Sequence, residues 1–395
     1  MKVIRDPVHK TIRLNDLCLR LIDTPEMQRL RRIKQLGFSY LVYPGANHTR
    51  FEHSLGVMHL ADIFSANLEE EGRDELMASA LLHDVGHGPY SHDSEEIIKR
   101  YTRKDHEDVG EIIDKEPIGS ILEDFNLKKS EILRTMGGES YLGQLLNREI
   151  DIDKMDYLVR DSYYTGVAYG IIDLHRLVQE MELYRKRLVI REGGLQAAES
   201  LCVSRFLMSP TVYYHHVSRI AESMFKKALL CMIEEKDLDP YTLRRMDDYE
   251  IHYRLKRTEG YPHEMIERLE ERDLFKRGIY VGMNSIDEKK IDEYRKGCGR
   301  YEREIAEDVG VDEKYVIVDI PKYPKTQMGV PVLIKDNIKR LDDISPLVAI
   351  LEKAEVSNWK MGVYTPKEYR EKVKKSAEEI FEVKKEPKQI FLDLD

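Results

Sequence analysis

HDVGHGPYSH, the segment at residues 83–92, places an imidazole beside a carboxylate and adds two further histidines, His87 and His92, within the next eight residues. Apolar residues recur three or four positions apart just before it, which predicts a helix from Arg73 to Asp84. The glycines and the proline of the segment end that helix. Imidazole and carboxylate ligands together suit zinc, manganese, iron or nickel. The segment therefore predicts a metal site at the end of an apolar helix.

Further candidate metal ligands lie on both sides of this segment. Upstream, RFEHSLG supplies His53, just before a second helical pattern from Ser54 to Glu70. Downstream, EIDIDKMDYLVRD supplies two rival carboxylates, Asp151 and Asp153, of which Asp151 also suits a helix amino-terminal cap. Two imidazoles and two carboxylates would largely neutralise a divalent ion and leave coordination positions open for water and substrate. Such a site favours metal-assisted hydrolysis.

The composition restricts the class of protein. A net charge of −10 at pH 7 argues against a protein that coats nucleic acid, because such proteins usually carry a basic surplus. Four widely separated cysteines indicate neither a thiolate zinc site nor a disulfide framework, which fits a reducing compartment. No run approaches the roughly 18 apolar residues of a membrane span, and MKVIRDPVHK lacks an apolar signal segment. We expect a cytoplasmic protein without a membrane or nucleic-acid partner.

The periodicity along the 395 residues predicts a mainly α fold with two parts. The first, residues 1–235, is a helical catalytic domain with short β hairpins near Ile12–Leu14 and Leu183–Arg191. The second, residues 236–395, is a smaller α+β carboxy-terminal lobe, where apparent strands interrupt charged helical stretches. Its last segment, Pro366–Pro387, is rich in Lys and Glu and is interpreted as a solvated terminal helix.

Five ordered motifs carry a family resemblance: KVIRDPVHKTIRL, IDTPEMQRLRRIKQLG, YPGANHTRFEHSLGV, HDVGHGPYSH and IDKMDYLVRD. They resemble the HD-domain phosphohydrolases, and within them the branch of deoxynucleoside triphosphate (dNTP) triphosphohydrolases. The resemblance is dense over residues 2–166 and implies a helical HD core at about 46–166. The family's metal ligands correspond to His53, His83, Asp84 and Asp153. Asp153 is preferred to Asp151 because it directly precedes the segment Lys154–Tyr157. The implied cofactor is one divalent ion per active site: manganese, magnesium, zinc, iron or nickel.

The resemblance also implies groups that grip and cleave the triphosphate. The cations that correspond to the family's phosphate contacts are Arg50, Lys154 and Arg205. The histidines that correspond to positions near the scissile phosphate are His87, His92 and His106. His92 is the candidate general acid for the leaving 5′ oxygen, because imidazole titrates near neutrality. His106, followed by Glu107, is either part of an orienting pair or part of a polar run.

For the nucleoside, the resemblance implies a pocket that selects deoxyribose. Gln35 and Asp161 correspond to contacts with the 3′ hydroxyl, and Tyr157 and Tyr213 to rings packed against the sugar. A ring against the 2′ carbon would exclude a ribose hydroxyl. The alternative is that the two tyrosines only fill a helical core. The implied reaction is attack of water on the α phosphorus, which releases deoxynucleoside and tripolyphosphate.

Regulation and assembly are implied by the same resemblance. The positions that correspond to guanine-nucleotide effector contacts are Lys2, Val3, Asp23, Gln28 and Arg31. Arg5 and His216 depart from the family pattern, so activation by GTP, by a dNTP, by another nucleotide or by none stays open. Because the family's effector sites lie between subunits, we expect a homo-oligomer, a dimer or a tetramer. Two other functions remain open: an HD-type phosphatase or phosphodiesterase for another nucleotide or phosphate ester, and a nucleotide-responsive regulatory protein.

Overall fold

A β hairpin leads into the helical part of the chain. The computed structural model describes residues 2–68, 70–236, 238–322 and 329–384. Strands β1 (Lys2–Asp6) and β2 (Lys10–Leu14) pair antiparallel, with Ile4 opposite Ile12. The carboxylate of Asp6 holds the turn between them, since Oδ1 accepts the backbone N–H groups of Val8 and His9 at 2.9 and 2.7 Å. Two short helices follow, α1 (Asp16–Ile22) and α2 (Pro25–Arg29).

The next helices build the layer that carries the HDVGHGPYSH segment. They are α3 (Arg50–Phe64), α4 (Glu70–Leu82), α5 (His92–Thr102), α6 (Gly110–Ile113), α7 (Ile118–Asp124), α8 (Lys129–Met136) and α9 (Ile152–Thr165). Helix α3 begins with a capping box between Thr49 and Glu52, four residues earlier than the apolar pattern predicts. It ends at Phe64, before the predicted Glu70. Helix α3 packs against both α4 and α9.

A second group of elements covers this layer. It consists of α10 (Leu174–Gln179), β3 (Met181–Tyr184), β4 (Arg187–Arg191), α11 (Leu195–Met208), one π-helical turn (Ser209–Tyr213) and α12 (His216–Glu235). The predicted hairpin is present. Its two turn residues, Arg185 and Lys186, both have positive φ, as a tight two-residue turn requires.

The carboxy-terminal half mixes short helices with two sheets. Its elements are α13 (Pro240–Leu243), α14 (Asp248–Arg257), α15 (Tyr261–Glu270), β5 (Lys276–Gly282), α16 (Ile291–Lys296), α17 (Cys298–Val309), β6 (Ile317–Asp319), β7 (Pro331–Ile334), β8 (Asn337–Arg340), α18 (Leu341–Ile344), α19 (Pro346–Glu355), β9 (Lys360–Thr365) and α20 (Arg370–Ile380). One sheet is antiparallel with strand order β5-β9-β6. The other has the order β3-β4-β7-β8, in which β7 joins the hairpin by pairing parallel to β4. The prediction of a mainly α fold with short hairpins and a small α+β region is confirmed.

The interpretation of the last segment as a solvated helix is wrong. Helix α20 packs on β5 and α17, and Val373, Ala377 and Phe381 on its inner face are fully buried. Their four-residue spacing is a helical apolar stripe that the abundance of Lys and Glu obscures. Residues 385–387 of the predicted helix lie outside the described residues.

The apolar cores join the two halves of the chain. One core lies between the helices that surround α3, and another lies under the three-stranded sheet. A further core joins Phe38 and Tyr90, from the amino-terminal half, to residues of α12, α14 and α15. Phe38 and Tyr90 stack with ring centroids 4.3 Å apart. The loop that follows α4 is thus anchored to the carboxy-terminal half. Among the helices in the described ranges, none has the length and apolarity that crossing a membrane requires.

Candidate metal centre and substrate cavity

The four predicted metal ligands meet where three helices converge. His53 lies in α3, His83 and Asp84 directly follow α4, and Asp153 lies in the first turn of α9. Nε2 of His53 is 2.8 Å from Oδ1 of Asp153 and 3.8 Å from Oδ2 of Asp84. Nε2 of His83 is 3.4 Å from Oδ1 of Asp84 and 3.7 Å from Oδ1 of Asp153. The ligand atoms of His53, His83 and Asp84 all lie within 4.8 Å of one another.

Both imidazoles are held with Nε2 toward this cluster. Nδ1 of His53 donates to Oδ2 of Asp156 at 2.8 Å, and Nδ1 of His83 donates to the carbonyl of Ala80 at 2.7 Å. These bonds set the tautomer that leaves Nε2 free for a metal. Nε2 of His83 is buried and makes no hydrogen bond. The donor set and its orientation fit one divalent ion.

The rival carboxylate, Asp151, has a different place. It is the amino-terminal cap of α9, where Oδ1 accepts the backbone N–H of Lys154 at 2.7 Å. Its Oδ2 accepts a hydrogen bond from Nζ of Lys154 at 2.7 Å. Asp153, two residues later, instead contacts His53. The spacing in IDIDK therefore separates a capping carboxylate from one that reaches the histidines.

The cluster has a strongly negative character. Burial alone would lower the pKa of His53, but its hydrogen bonds to Asp153 and Asp156 and the charge of Asp84 raise that pKa to about 10. Burial opposes ionisation of Asp84, yet the Arg50 guanidinium and His83 hold the pKa of this carboxyl well below its ordinary value. A site that stabilises charged carboxylates and raises an imidazole pKa attracts cations.

Arg50 connects the candidate metal ligand Asp84 to the loop between α4 and α5. It is 4% exposed at the start of α3, and its Nη1 donates to Oδ2 of Asp84 at 2.9 Å. Its Nε donates to Oγ of Ser91 at 2.9 Å. His87 lies beside this group, with Nε2 3.3 Å from Oδ1 of Asp84. Burial and the neighbouring Arg50 lower the pKa of His87 well below its ordinary value, which keeps this imidazole neutral.

Glu95, which the sequence analysis did not single out, bonds to both His92 and His106. Oε2 of Glu95 accepts a hydrogen bond from Nδ1 of His92 at 2.6 Å, and its Oε1 accepts one from Nδ1 of His106. Burial opposes ionisation of Glu95, but these two bonds hold its pKa below the ordinary range. The rings of His87 and His106 stack at 4.2 Å. The orienting partner of His106 is thus Glu95 rather than the adjacent Glu107. The three-residue spacing of His92 and Glu95 on one helix could have indicated that these two side chains are neighbours.

A cavity of about 570 Å³ opens over this cluster. It is lined by every candidate catalytic and substrate residue and by three of the four candidate metal ligands: Gln35, Arg50, His83, Asp84, His87, His92, His106, Asp153, Lys154, Tyr157, Asp161, Arg205 and Tyr213. His53 lies behind the wall, with no exposed surface. Because Arg50, Lys154 and Arg205 share the cavity with the metal cluster, the site combines metal-binding groups with cations.

The predicted sugar contacts form a polar and aromatic corner of the cavity. Asp161 is held from two sides, since Oδ1 accepts from Nε2 of His48 at 2.7 Å and Oδ2 accepts from the Tyr213 hydroxyl at 3.0 Å. The rings of Tyr157 and Tyr213 meet edge to face at 6.1 Å. Oε1 of Gln35 is buried without a hydrogen-bond partner. A ligand hydroxyl would satisfy it.

The carboxy-terminal half contributes a wall that no sequence motif indicated. It consists of Pro321, Lys322, Glu355, Asn358 and Trp359. Trp359 is held by a hydrogen bond from Nε1 to the Pro321 carbonyl at 3.0 Å. Glu355 has an oxygen, Oε2, that is buried without a partner. Pro321 and Lys322 follow β6, whereas the other three lie at or just after the end of α19, so only the tertiary fold brings them together at the cavity.

The predicted effector residues lie in the amino-terminal segment. Lys2 and Val3 are exposed on β1, and Asp23 is exposed at the end of α1. Nε of Arg31 donates to Oε1 of Gln28 at 2.9 Å, and the Arg31 guanidinium lies 3.5 Å from the ring centroid of Phe51. Asp23 thus lies between α1 and α2, Gln28 lies within α2, and Arg31 lies in the turn that follows α2.

Comparison with known proteins identifies two regions. The chain matches an HD domain over residues 50–161 and an HD associated region over residues 172–392. Uncharacterized protein MJ1154 of Methanocaldococcus jannaschii is 39% identical over 379 residues, covering 93% of this chain and 80% of that protein. SAMHD1 of Gallus gallus, a deoxynucleoside triphosphate triphosphohydrolase, is 30% identical over 362 residues, covering 74% of this chain and 58% of that protein.

A solved structure supports the same relationship over nearly the whole chain. The crystal structure of a hypothetical protein from Aquifex aeolicus has a TM-score of 0.78 and 29% identity, covering 95% of this chain and 99% of that one. The family resemblance carried by the five motifs is confirmed. The chain belongs to the HD-domain phosphohydrolase superfamily, in its dNTPase-like branch, and combines an HD domain with an HD-associated region.

Proposed function

We propose that this phosphohydrolase cleaves dNTPs into deoxynucleoside and tripolyphosphate. The observation that carries the proposal is the composition of one cavity of about 570 Å³, a size that suits a small ligand. A metal-donor cluster, three cations and an aromatic sugar corner all face it. The similarity to SAMHD1, whose name states this activity, supports the same substrate class.

Four residues would hold the metal: His53, His83, Asp84 and Asp153. A divalent ion supplies there a lowered pKa for water and polarisation of a phosphoryl oxygen. Asp156 would keep the His53 ring in place from behind, because it accepts the Nδ1 hydrogen bond at 2.8 Å.

The cations would bind the triphosphate. Arg50 uses Nε and Nη1 to bond Ser91 and Asp84, which fixes its guanidinium plane and leaves Nη2 as a donor for phosphate. Nζ of Lys154 is held by Asp151 and by the Arg148 carbonyl, which restricts this ammonium at the cavity wall. Together with Arg205 and the divalent ion, these cations would offset part of the roughly four negative charges of a triphosphate.

Proton transfer to the leaving 5′ oxygen would fall to His92. Its Nδ1 is bonded to Glu95 at 2.6 Å, so Nε2 is the nitrogen left to donate a proton to substrate. Glu95 also holds His106, whose pKa it raises against the opposing effect of burial. Neutral His87, stacked on His106, would shape the wall between the metal cluster and the acid.

The sugar corner would select deoxyribose. Gln35 and Asp161 would bond the 3′ hydroxyl, and the Tyr157 and Tyr213 rings would pack against the 2′ carbon. A 2′ hydroxyl placed against these rings would lose its hydrogen bonds to water without replacement, which disfavours ribonucleotides. Burial raises the pKa of Tyr157 to about 12, so this side chain stays neutral.

We also propose that a nucleotide effector binds at Lys2, Val3, Asp23, Gln28 and Arg31 between subunits of a homo-oligomer. The pairing of Gln28 with Arg31 supports this site, since it presents an amide and a guanidinium together at the surface. Light scattering with and without GTP would test it, because an effector shared between subunits should increase the particle mass.

The experiment for the activity is product identification. Purified protein is incubated with each dNTP and with the matching ribonucleotide, with and without manganese and GTP, and products are separated by anion exchange. We expect tripolyphosphate and deoxynucleoside in equal amounts, and their absence with Asp153→Ala. Release of orthophosphate or pyrophosphate would instead indicate a phosphatase or phosphodiesterase. Nucleotide binding that survives metal removal, with no product, would indicate a regulatory protein.

A further inference from the structure

We propose that Asp248, in the carboxy-terminal half, is a positioning residue that holds the turn before His92 and, through it, Arg50. Its carboxylate joins two distant backbone segments. Oδ1 accepts the backbone N–H of Tyr90 at 2.6 Å, and Oδ2 accepts the backbone N–H of Lys34 at 2.9 Å. Asp248 is 5% exposed, so water does not replace these bonds easily. Its role in turnover rests on the proposed function, whereas its hold on the backbone does not.

The turn that Asp248 contacts has an unfavourable backbone conformation. Tyr90 and Ser91 have φ values of 55° and 57°, in the left-handed region that side chains other than glycine rarely adopt. This conformation is unfavourable for a residue that has a Cβ, so the surrounding structure must hold it in place. His92, the candidate general acid, is the next residue and begins α5. The bond from the Tyr90 amide to Asp248 is one of the contacts that retain this conformation.

A continuous set of hydrogen bonds leads from Asp248 to the metal ligands. Asp248 accepts the Lys34 amide, and the Lys34 carbonyl accepts the Ser91 hydroxyl at 2.6 Å. Ser91 in turn accepts Nε of Arg50, which also bonds Asp84. Lys34 and the turn at Tyr90 and Ser91 are thus connected twice, once by the Ser91 hydroxyl and once through the carboxylate of Asp248, which accepts the Tyr90 amide. Loss of that carboxylate would loosen both the turn and the support of Arg50.

Helix capping does not account for Asp248. The amino-terminal cap of α14 is the preceding residue, Asp247, whose Oδ1 accepts the Glu250 amide at 3.0 Å and whose Oδ2 pairs with Arg32. Burial raises the pKa of Asp248 to about 7, even though the two amide bonds act in the opposite direction. A charged carboxylate is unfavourable in this buried position, and its hydrogen bonds to two backbone N–H groups offset part of that cost.

The test compares Asp248→Asn with Asp247→Asn in the full-length, metal-loaded protein. Asparagine keeps the volume but offers one acceptor, so its NH₂ group would face one of the two backbone N–H groups. Hydrogen exchange is measured by mass spectrometry on peptides that cover Lys34 and Tyr90. We expect exchange to rise at least tenfold in Asp248→Asn at the segment whose amide faces the NH₂ group, Lys34 or Tyr90, and to stay at the wild-type rate in both segments of Asp247→Asn. Unchanged exchange in a folded Asp248→Asn protein would overturn the proposal, whether or not any nucleotide is hydrolysed.

Turnover supplies a second, independent readout. With metal content equal to wild type, we expect kcat of Asp248→Asn to fall at least tenfold, because the turn positions His92. KM should rise only severalfold, because Arg50 is one of three cations proposed to bind the triphosphate. Ser91→Ala keeps Asp248 and its two amide bonds intact and removes the hydroxyl that links the Lys34 carbonyl to Arg50. It should lower kcat severalfold while the two amides stay protected. Full activity of Ser91→Ala would overturn the connection from Asp248 to Arg50.

Discussion

Asp156→Asn should weaken metal binding although Asp156 itself is not a candidate ligand. The carboxylate accepts four hydrogen bonds and has no exposed surface. Oδ1 accepts from Nε2 of His9 at 2.6 Å and from Nη2 of Arg160 at 3.0 Å. Oδ2 accepts from Nδ1 of His53 and from Nε of Arg160, both at 2.8 Å. An amide accepts at one atom only, so two of the four donors would face an NH₂ group.

Asp156→Asn should have two separate effects, one on the free energy of unfolding and one on metal affinity. A hydrogen bond to a charged group contributes about 1.5–3 kcal/mol, so losing two, beside the buried Arg160, should lower the free energy of unfolding by about 4 kcal/mol. The loss of orientation of His53 should weaken metal affinity about 10–100-fold, which corresponds to about 1.4–2.7 kcal/mol. The first effect concerns the fold, and the second concerns the metal centre.

Asp6→Asn separates these effects. Asp6 accepts from the same guanidinium, with Oδ2 2.8 Å from Nη1 of Arg160, but does not contact His53. Both variants should therefore lose stability, whereas only Asp156→Asn should lose metal affinity. Affinity is measured by competition with a chromophoric chelator for manganese or zinc, and stability by denaturant unfolding of the metal-free proteins. Equal affinity of Asp156→Asn and wild type, or equal weakening in Asp6→Asn, would refute the assigned role.

Three further predictions concern other parts of the site. Tyr213→Phe removes the hydroxyl that orients Asp161 and should lower kcat/KM for dNTPs about tenfold. Tyr213→Ala should mainly raise the activity on ribonucleotides relative to dNTPs. If Tyr213→Ala discriminates between paired dNTP and ribonucleotide substrates as wild type does, the proposed sugar pocket is wrong. Gly56→Ala should lower stability by about 1–3 kcal/mol in denaturant unfolding, because a Cβ there would lie 1.8 Å from Oδ1 of Asp156. Burial and the neighbouring imidazole of His9 lower the pKa of His59 to about 4. Between pH 6.5 and 4 the unfolded chain therefore binds a proton that folded His59 does not, and the free energy of unfolding should fall as the pH decreases through this range. His59→Gln should flatten this pH dependence of stability.

The features that sequence predicted best are those that short-range patterns determine. The apolar spacing before His83 and the glycines after it specify where α4 ends, and therefore where a His-Asp pair becomes available to a metal. Asp151, the first Asp of IDIDK, could be assigned to a helix cap because an amino-terminal cap is a hydrogen bond between residues close in sequence. The family motifs then extended these local predictions to ligands far apart in the chain.

The features that sequence did not predict depend on contacts between distant segments. The parallel pairing of β4 with β7 joins Ile190 to Val332, and no local pattern specifies such a partner. Asp248 reads as an ordinary acidic residue in the first turn of a helix, because its two acceptor bonds go to backbone groups 158 and 214 residues away. Trp359 reaches the cavity through the packing of the carboxy-terminal half, which periodicity alone does not locate.

In the proposed site, Asp84 would couple metal binding to phosphate binding, whereas the groups behind it can be changed separately. Its Oδ1 faces the histidines, 3.4 Å from Nε2 of His83 and 3.3 Å from Nε2 of His87, whereas its Oδ2 accepts Nη1 of Arg50. One carboxylate would therefore contribute to the proposed metal donor set with one oxygen, and it fixes with the other the guanidinium that we propose binds phosphate. We expect any change at Asp84 to alter both, because the charge that would attract the cation is the charge that orients Arg50. Of the four candidate metal ligands, Asp156 bonds to His53, on the side away from the cluster. Asp248 reaches Arg50 through the Lys34 backbone and Ser91. Asp156 is therefore expected to affect the metal side of Asp84, and Asp248 the Arg50 side.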